Sequence, residues 1–248
     1  MTDFLIFTIY APLASWGDIA VGELRGSWDR PSRSAVLGLL GAALGLDRSD
    51  QEAHDALDQG YGVAVRLDRP GYPMVDYHTA QTVGQRAART AAGMPRAALL
   101  EAGDLQTILS QRTYRRDALA TIAVWCRQGA LWSLEALSRA LSHPKFILYA
   151  GRKANALGLP LMPELTKAES LAAALCLRPL LPARLAEFVS FEGSGALVEV
   201  SHDPCDECPS GLKVHRREVR RDAGAHRARW QFAERLVEVG LLDKGSVQ

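Results

Sequence analysis

The sequence is short of the features that assign a protein class at a glance. Its formal net charge is +1 over 248 residues, so total charge gives no argument for a polyanionic partner and only the distribution of charge can. Its four cysteines, Cys126, Cys176, Cys205 and Cys208, are too unevenly placed for a disulfide framework in a chain of this size, which fits a reducing compartment. The longest apolar stretch, Ala35 to Leu46, is broken by three glycines and falls short of the roughly 18 residues that a membrane span needs. Met1 to Tyr10 has no basic start, no signal-length apolar segment and no cleavage site, so a soluble cytoplasmic protein is expected. Repeats and low-complexity tracts are missing too. What is there is ordinary for a globular chain: 48% hydrophobic and 23% charged residues, enough to bury a self-sufficient core.

Phe4 to Tyr10 is rich in β-formers and stops at Ala11-Pro12, which predicts a central first strand. Ser15 to Arg33 then carries turn chemistry together with Trp16 and Trp28, two aromatics too large for a casual loop. Ser32 or Ser34 can cap a buried helix through Ala35–Leu46; Ser49 caps a short polar helix to about Leu57; Tyr61 to Leu67 alternates as a second strand. Asp76 to Arg116 shows no strong period and reads as an excursion from the sheet. Core pattern resumes with a strand at Leu119–Trp125, a helix at Leu131–Leu141, a strand-like Phe146–Tyr149 and a helix from about Lys167 to Leu175. The resulting β-α-β-β-α-β order predicts an α+β, ferredoxin-like fold, whose sheet face is a familiar platform for single-stranded RNA.

Charge is uneven along this frame. The excursion holds Arg86, Arg89, Arg96, Arg112, Arg115 and Arg116 against Asp76, Glu101 and Asp104. The tail from Lys213 to Arg235 is basic as well and ends in the strand-like Arg235–Val239. Two chemical constellations compete with a plain binding role. His78 beside Asp76 offers an acid–base group for metal-independent RNA cleavage, or simply a hydrogen-bonded turn with Tyr77 stacking. His202, Cys205, Cys208 and His215 are enough ligands for one structural zinc, but a single Cys-x-x-Cys in a Pro/Asp-rich turn is commonly only a reduced turn, so no metal and no cofactor are assigned.

Four segments then point one way. Ala11-Pro-Leu-Ala-Ser-Trp-Gly17, the Arg30-Pro-Ser-Arg-Ser34 helix start running to Gly41, Asp76-Tyr-His-Thr79, and His143-Pro-Lys-Phe-Ile-Leu-Tyr-Ala-Gly-Arg-Lys153 stand in the order and spacing of the CasD family, in the RAMP superfamily of CRISPR proteins. The resemblance spans roughly residues 4 to 165. It implies a RAMP palm over 1–180, a thumb inserted at about 77–116, and a β-rich C-terminal extension over 181–248. It also implies a non-catalytic role in a type I-E surveillance complex, Cascade, an antiviral defence assembly that targets DNA. There the palm binds the 5′ handle of the crRNA and the thumb caps the CasC backbone. The large subunit CasA sits nearby, and CasB and CasE complete the assembly, with CasE cutting the repeat. The competing expectation is a metal-independent endoribonuclease that processes CRISPR repeat RNA.

A single-stranded polyanion needs arginines for phosphates, aromatic faces for bases and glycines where the backbone approaches closely. The expected RNA-binding set is therefore Ser15, Trp16 and Gly17 after the first strand; Arg30, Arg33 and Ser34 at the helix start; Tyr77, His78 and Thr79; Arg112 and Tyr114; and the phosphate-type loop Gly151, Arg152 and Lys153. No catalytic residue is assigned.

Overall fold

A computed structural model describes residues 1–17, 19–84, 94–101, 105–177, 197–226 and 231–243. The first strand, β1 (Thr2–Ala14), is buried on both faces from Phe4 to Ile9, as a continuous apolar run requires when a strand has neighbours on both sides. It continues past Pro12, which is exposed and absent from the pairing with the next strand, a position that tolerates the missing N–H. A two-residue β2 (Leu24–Arg25) follows. Then come α1 (Arg33–Leu44), capped by the Ser32 hydroxyl accepting from the Ala35 N–H, and α2 (Gln51–Gly60), capped by Asp50 rather than Ser49. The chain proceeds through β3 (Tyr61–Arg69), β4 (Tyr72–Val83), α3 (Arg96–Leu100), β5 (Leu105–Cys126), α4 (Leu134–Ser142), β6 (Glu164–Ala168), α5 (Leu171–Cys176), β7 (Leu197–His202), β8 (Lys213–His226) and β9 (Gln231–Asp243).

One sheet, dominated by antiparallel pairing, runs β6-β1-β5-β3-β7-β9-β8, with β4 and the parallel β2 added to β5. Both faces are covered. Leu5, Phe7, Ile9, Ile122 and Val124 pack under α1 and α4. Phe4, Ile6, Ala64, Ala123 and Trp125 pack under α5 and the Cys208–Leu212 segment. An open RNA platform on the sheet face is therefore not what this chain presents: that face is occupied by its own α5, fixed by buried Arg66, which bonds Asp68, Thr121 and the Leu175 carbonyl.

Three expectations change. Phe146–Tyr149 is irregular, with Phe146 and Ile147 exposed, and the strand that flanks β1 is Glu164–Ala168. The helix expected from Lys167 starts only at Leu171, where Ser170 caps it. The Asp76–Arg116 excursion is two paired strands, β4 and the first half of β5, in unbroken register from Tyr72↔Arg116 to Val83↔Leu105. Arg86, Arg89, Asp104 and the first part of the C-terminal extension lie outside the described residues. Among the described residues no helix is long and apolar enough to cross a membrane.

Candidate nucleic-acid interface

The turn leaving β1 is built by a backbone clasp. Ser15 donates its N–H to the Ala150 carbonyl (3.1 Å), and Gly151 lies so close that a Cβ there would stand 1.7 Å from the Ser15 carbonyl oxygen. Gly151 also has φ +84°, so only glycine serves. Buried Asn155, which the sequence reading passed over, holds this loop shut: its side chain donates to the Ala150 carbonyl (3.1 Å) while its N–H donates to the Arg152 carbonyl (2.8 Å). The clasp aims Arg152 across the sheet, where its guanidinium lies 4.4 Å from the Tyr114 ring centroid and donates to the Arg25 carbonyl (3.3 Å).

Ser15, Trp16, Gly17, Tyr114, Gly151, Arg152 and Lys153 thus come together. Ser15 and Trp16 are buried, the Trp16 N–H donating to the Ser27 hydroxyl (2.9 Å), whereas Gly17 and Lys153 face solvent. Arg112 joins them from β5 opposite Arg25, its Nε donating to the Ser110 hydroxyl (3.3 Å). Two donors in this cluster, Arg152 Nη1 and Trp16 Nε1, are shielded from solvent yet find no acceptor among the described residues. Orphaned buried donors are costly, and a ligand rich in acceptor oxygens would satisfy them.

The Tyr77-His78-Thr79 trio does not act as one patch. On the pleated β4, Tyr77 and Thr79 share one face opposite Gln111 and Leu109, and His78 lies on the other, opposite Ser110 and beside Asp76 and Arg112. His78 Nδ1 stands 3.6 Å from the Asp76 carboxylate, both side chains open to solvent.

Arg30 and Arg33 sit in a buried ionic network rather than on an open helix start. Arg33 Nε donates to Asp203 (2.8 Å), its other nitrogens reach Asp58 and the Tyr61 carbonyl, and its backbone N–H donates to Asp222 (2.9 Å). The α1 N-terminus is thereby closed by the chain's own carboxylate, and Ser34 bonds Ser32 (3.0 Å). Arg30 bridges Glu199 (3.1 Å) and Glu218 (3.0 Å), to which Arg216 and Arg220 also bond. Arg235 spans Asp203 and Asp222. Burial works against charge on Arg33, yet Asp203 and Asp58 hold its pKa above the ordinary value. For Glu218 burial pushes upward, but the Arg216 hydrogen bond and the charges of Arg30 and Arg220 prevail and bring it down to about 2. The network ties β7, β8 and β9 to the start of α1.

Between that network and the β1 turn lies a groove of about 900 Å³ whose walls include Gly17, Trp28, Ser34, Arg221 and Phe232. Arg220 stacks 4.2 Å from the Trp28 ring centroid at its edge. The Cys205 and Cys208 sulfurs approach to 2.6 Å, but His202 bonds the Asp203 carbonyl and His215 turns to Arg216 and Glu199. Among the described residues no group of three or more such side chains could hold a metal ion.

The profile of the family described as CRISPR-associated protein (Cas_Cas5) matches residues 4–238, and the chain belongs to that family. It is similar to the CRISPR system Cascade subunit CasD of Escherichia coli (strain K12), with 32% identity over 161 residues that make up 65% of this chain and 70% of that one. Two solved structures share its fold. A chain of a CRISPR RNA-guided surveillance complex aligns with TM-score 0.60 and 23% identity, over 97% of this chain and 90% of that one. A Cas protein crystal structure aligns with TM-score 0.60 and 25% identity, over 98% and 97%.

Proposed function

We propose that this chain is a non-catalytic subunit of a type I-E CRISPR surveillance complex, in which it binds the 5′ handle of the crRNA. The observation that carries the reading is the Ser15–Gly151 clasp beside two donors unsatisfied among the described residues, Trp16 Nε1 and Arg152 Nη1, the second on an arginine already stacked on the Tyr114 ring. Phosphate oxygens supply the missing acceptors, and the adjoining groove with Trp28 offers an aromatic face to an unstacked base. Ser15, Trp16, Gly17, Arg112, Tyr114, Gly151, Arg152 and Lys153 make the handle site; Tyr77 and Thr79 on one face of β4, and His78 on the other, meet different neighbours. Arg30, Arg33 and Ser34 shape the site from behind.

The antiparallel order β6-β1-β5-β3, with helices crossing after β1 and after β5, supports a ferredoxin-like palm over 1–180. The β4–β5 ribbon is its thumb, at about 77–116, capping the CasC backbone, and 181–248 is the C-terminal extension. CasA lies nearby, and CasB, CasE and the target DNA complete the cytoplasmic assembly.

The test is co-expression of the tagged chain with the other Cascade genes and a repeat array, with the bound RNA sequenced and repeat RNA also incubated with the chain alone in EDTA. A complex holding intact guide, with no cutting by the chain alone, is expected. Cleavage that His78→Ala abolishes would make the chain the processing ribonuclease instead.

A further inference from the structure

Four described strands lie at the margins of the sheet, and they are protected unequally; β2 is only two residues long. A free edge presents a row of unpaired N–H and C=O groups, which native proteins blunt with short strands, bulges or Lys and Arg side chains. β6 has only 5 residues and carries Lys167 and Glu164. β8 breaks register at three places and bears Lys213, Arg216, Arg217, Arg220 and Arg221. β4 is the least protected: Pro73 blunts only its first end, its 12 residues include no Lys or Arg, its register with β5 is unbroken, and it pairs with β5 alone among the described strands.

The exposed positions on β4 are strand-forming. Val75 is 64% and Tyr77 61% exposed, Thr79 is exposed beside them, and the strand becomes buried only at Val83. Pro73 fixes which groups face outward. With no N–H to give β5, it fits where its nitrogen points away from the partner, and by the two-residue period Val75, Tyr77 and Thr79 direct their N–H and C=O groups to the same open side. A two-stranded ribbon is marginal alone in water. A third strand would complete the hydrogen-bonding row and cover Val75 and Tyr77.

We propose that the outer edge of β4, over Val75–Thr79, takes an extended segment of a neighbouring protein subunit as an added antiparallel or parallel strand. The occupant is polypeptide because the regular spacing of outward amides and carbonyls is met only by another extended backbone. This inference rests on the reading of the chain as a subunit of a multi-protein complex, and it names the docking chemistry of the ribbon.

The test compares hydrogen exchange at the amides of residues 74–80 in the isolated full chain and in the co-expressed complex with guide RNA. In the free chain the Val75, Tyr77 and Thr79 amides exchange fast; in the complex they should slow by about tenfold or more, the expected mark of new backbone bonds. Val75→Pro and Tyr77→Pro, which delete an outward N–H, should weaken assembly by about tenfold, whereas Val75→Thr and Tyr77→Thr, which keep it, should stay within about threefold. Hydrogen exchange on the unaltered chain decides the matter if a proline variant does not fold. A complex that forms with these amides unprotected, or threonine variants as impaired as the proline ones, overturns strand addition while leaving the subunit role standing. Slowing in the isolated chain that grows with its own concentration overturns it in favour of self-pairing. Failure to recover any complex sinks the subunit reading and the inference together.

Discussion

Arg33 and Arg152 both belong to the expected RNA-binding set, and their surroundings are opposite. The Arg33 guanidinium is closed by Asp203, Asp58 and the Tyr61 carbonyl, at the seam where the C-terminal strands meet α1. Arg152 has an aromatic ring beneath it, one backbone carbonyl, and a nitrogen with no acceptor among the described residues. The first arginine is spent on holding two parts of the chain together; the second is held in place with binding capacity left over. An arginine's residue type says little about which of these it does. The acids around it decide, and for Arg33 these are Asp58, 25 residues away, and Asp203, 170 residues away.

The comparison breaks first, and hardest, at Arg33. Removing one partner of a buried ionic network strands the others without water or counter-charge, and Arg33→Ala should destabilise the fold by about 3–5 kcal/mol in denaturant melts. A loss below about 1 kcal/mol would mean that Asp203 and Asp58 are rescued by solvent, and the contrast with Arg152 would dissolve.

Next comes the clasp. Gly151→Ala puts a methyl group into the Ser15 carbonyl and asks a non-glycine residue to hold φ +84°. The backbone must shift, at a cost of about 2 kcal/mol or more, and Arg152 should move off Tyr114 with it. Handle-RNA affinity should fall along with the melting temperature, measured by filter binding and thermal denaturation on the same sample. Unchanged affinity in a stable variant would detach the clasp from the binding site.

What was legible beforehand follows from the strength of the local signal. Phe4–Ile9 of β1 and Ala35–Leu44 of α1 stand in the sequence as runs without a charged residue because each is buried nearly all round. The β4–β5 ribbon is exposed on one face and half-buried on the other, so its alternation carries little hydrophobic contrast and reads as no period. β6 is short and charged, and the apolar but exposed Phe146–Tyr149 looks more like a strand than β6 does. In the site, Gly151 and Arg152 were visible as a phosphate-type loop, whereas Asn155 was not, since one buried asparagine leaves no pattern. The acids Glu218 and Asp222 interleaved in the basic tail were the one available sign that the arginines there are matched internally.

On the open side of the comparison, Arg152→Ala should leave the unfolding free energy within about 0.5 kcal/mol of the parent, because the side chain it removes is matched by no carboxylate among the described residues. Its effect belongs to RNA: a loss of about 1–2 kcal/mol in handle affinity, together with a salt dependence shallower by about one phosphate contact. Equal weakening of stability and binding would put Arg152 in the same structural class as Arg33.

The smallest effect at neutral pH, and the sharpest discriminator, is acid titration of the seam. Glu218 is held down to about 2 in the folded chain, against about 4.3 for an unperturbed glutamate. A carboxyl depressed in the fold stabilises it fully above its unfolded value, and that contribution fades as pH falls from about 4.3 through 2. Stability should therefore be flat on this account from pH 7 to 5 and decline below it, and Glu218→Gln should reduce the decline while costing about 1 kcal/mol at pH 7, a modest figure because the pair is partly solvated. Among the described residues Arg152 has no carboxylate partner to protonate, so no such acid slope is expected from the clasp. If hydrogen exchange in β8 and β9 rises below pH 4 while the amides around Ala150–Asn155 stay protected, the two arginine environments are separate in energy as well as in place; if both open together, the seam and the clasp are one cooperative unit.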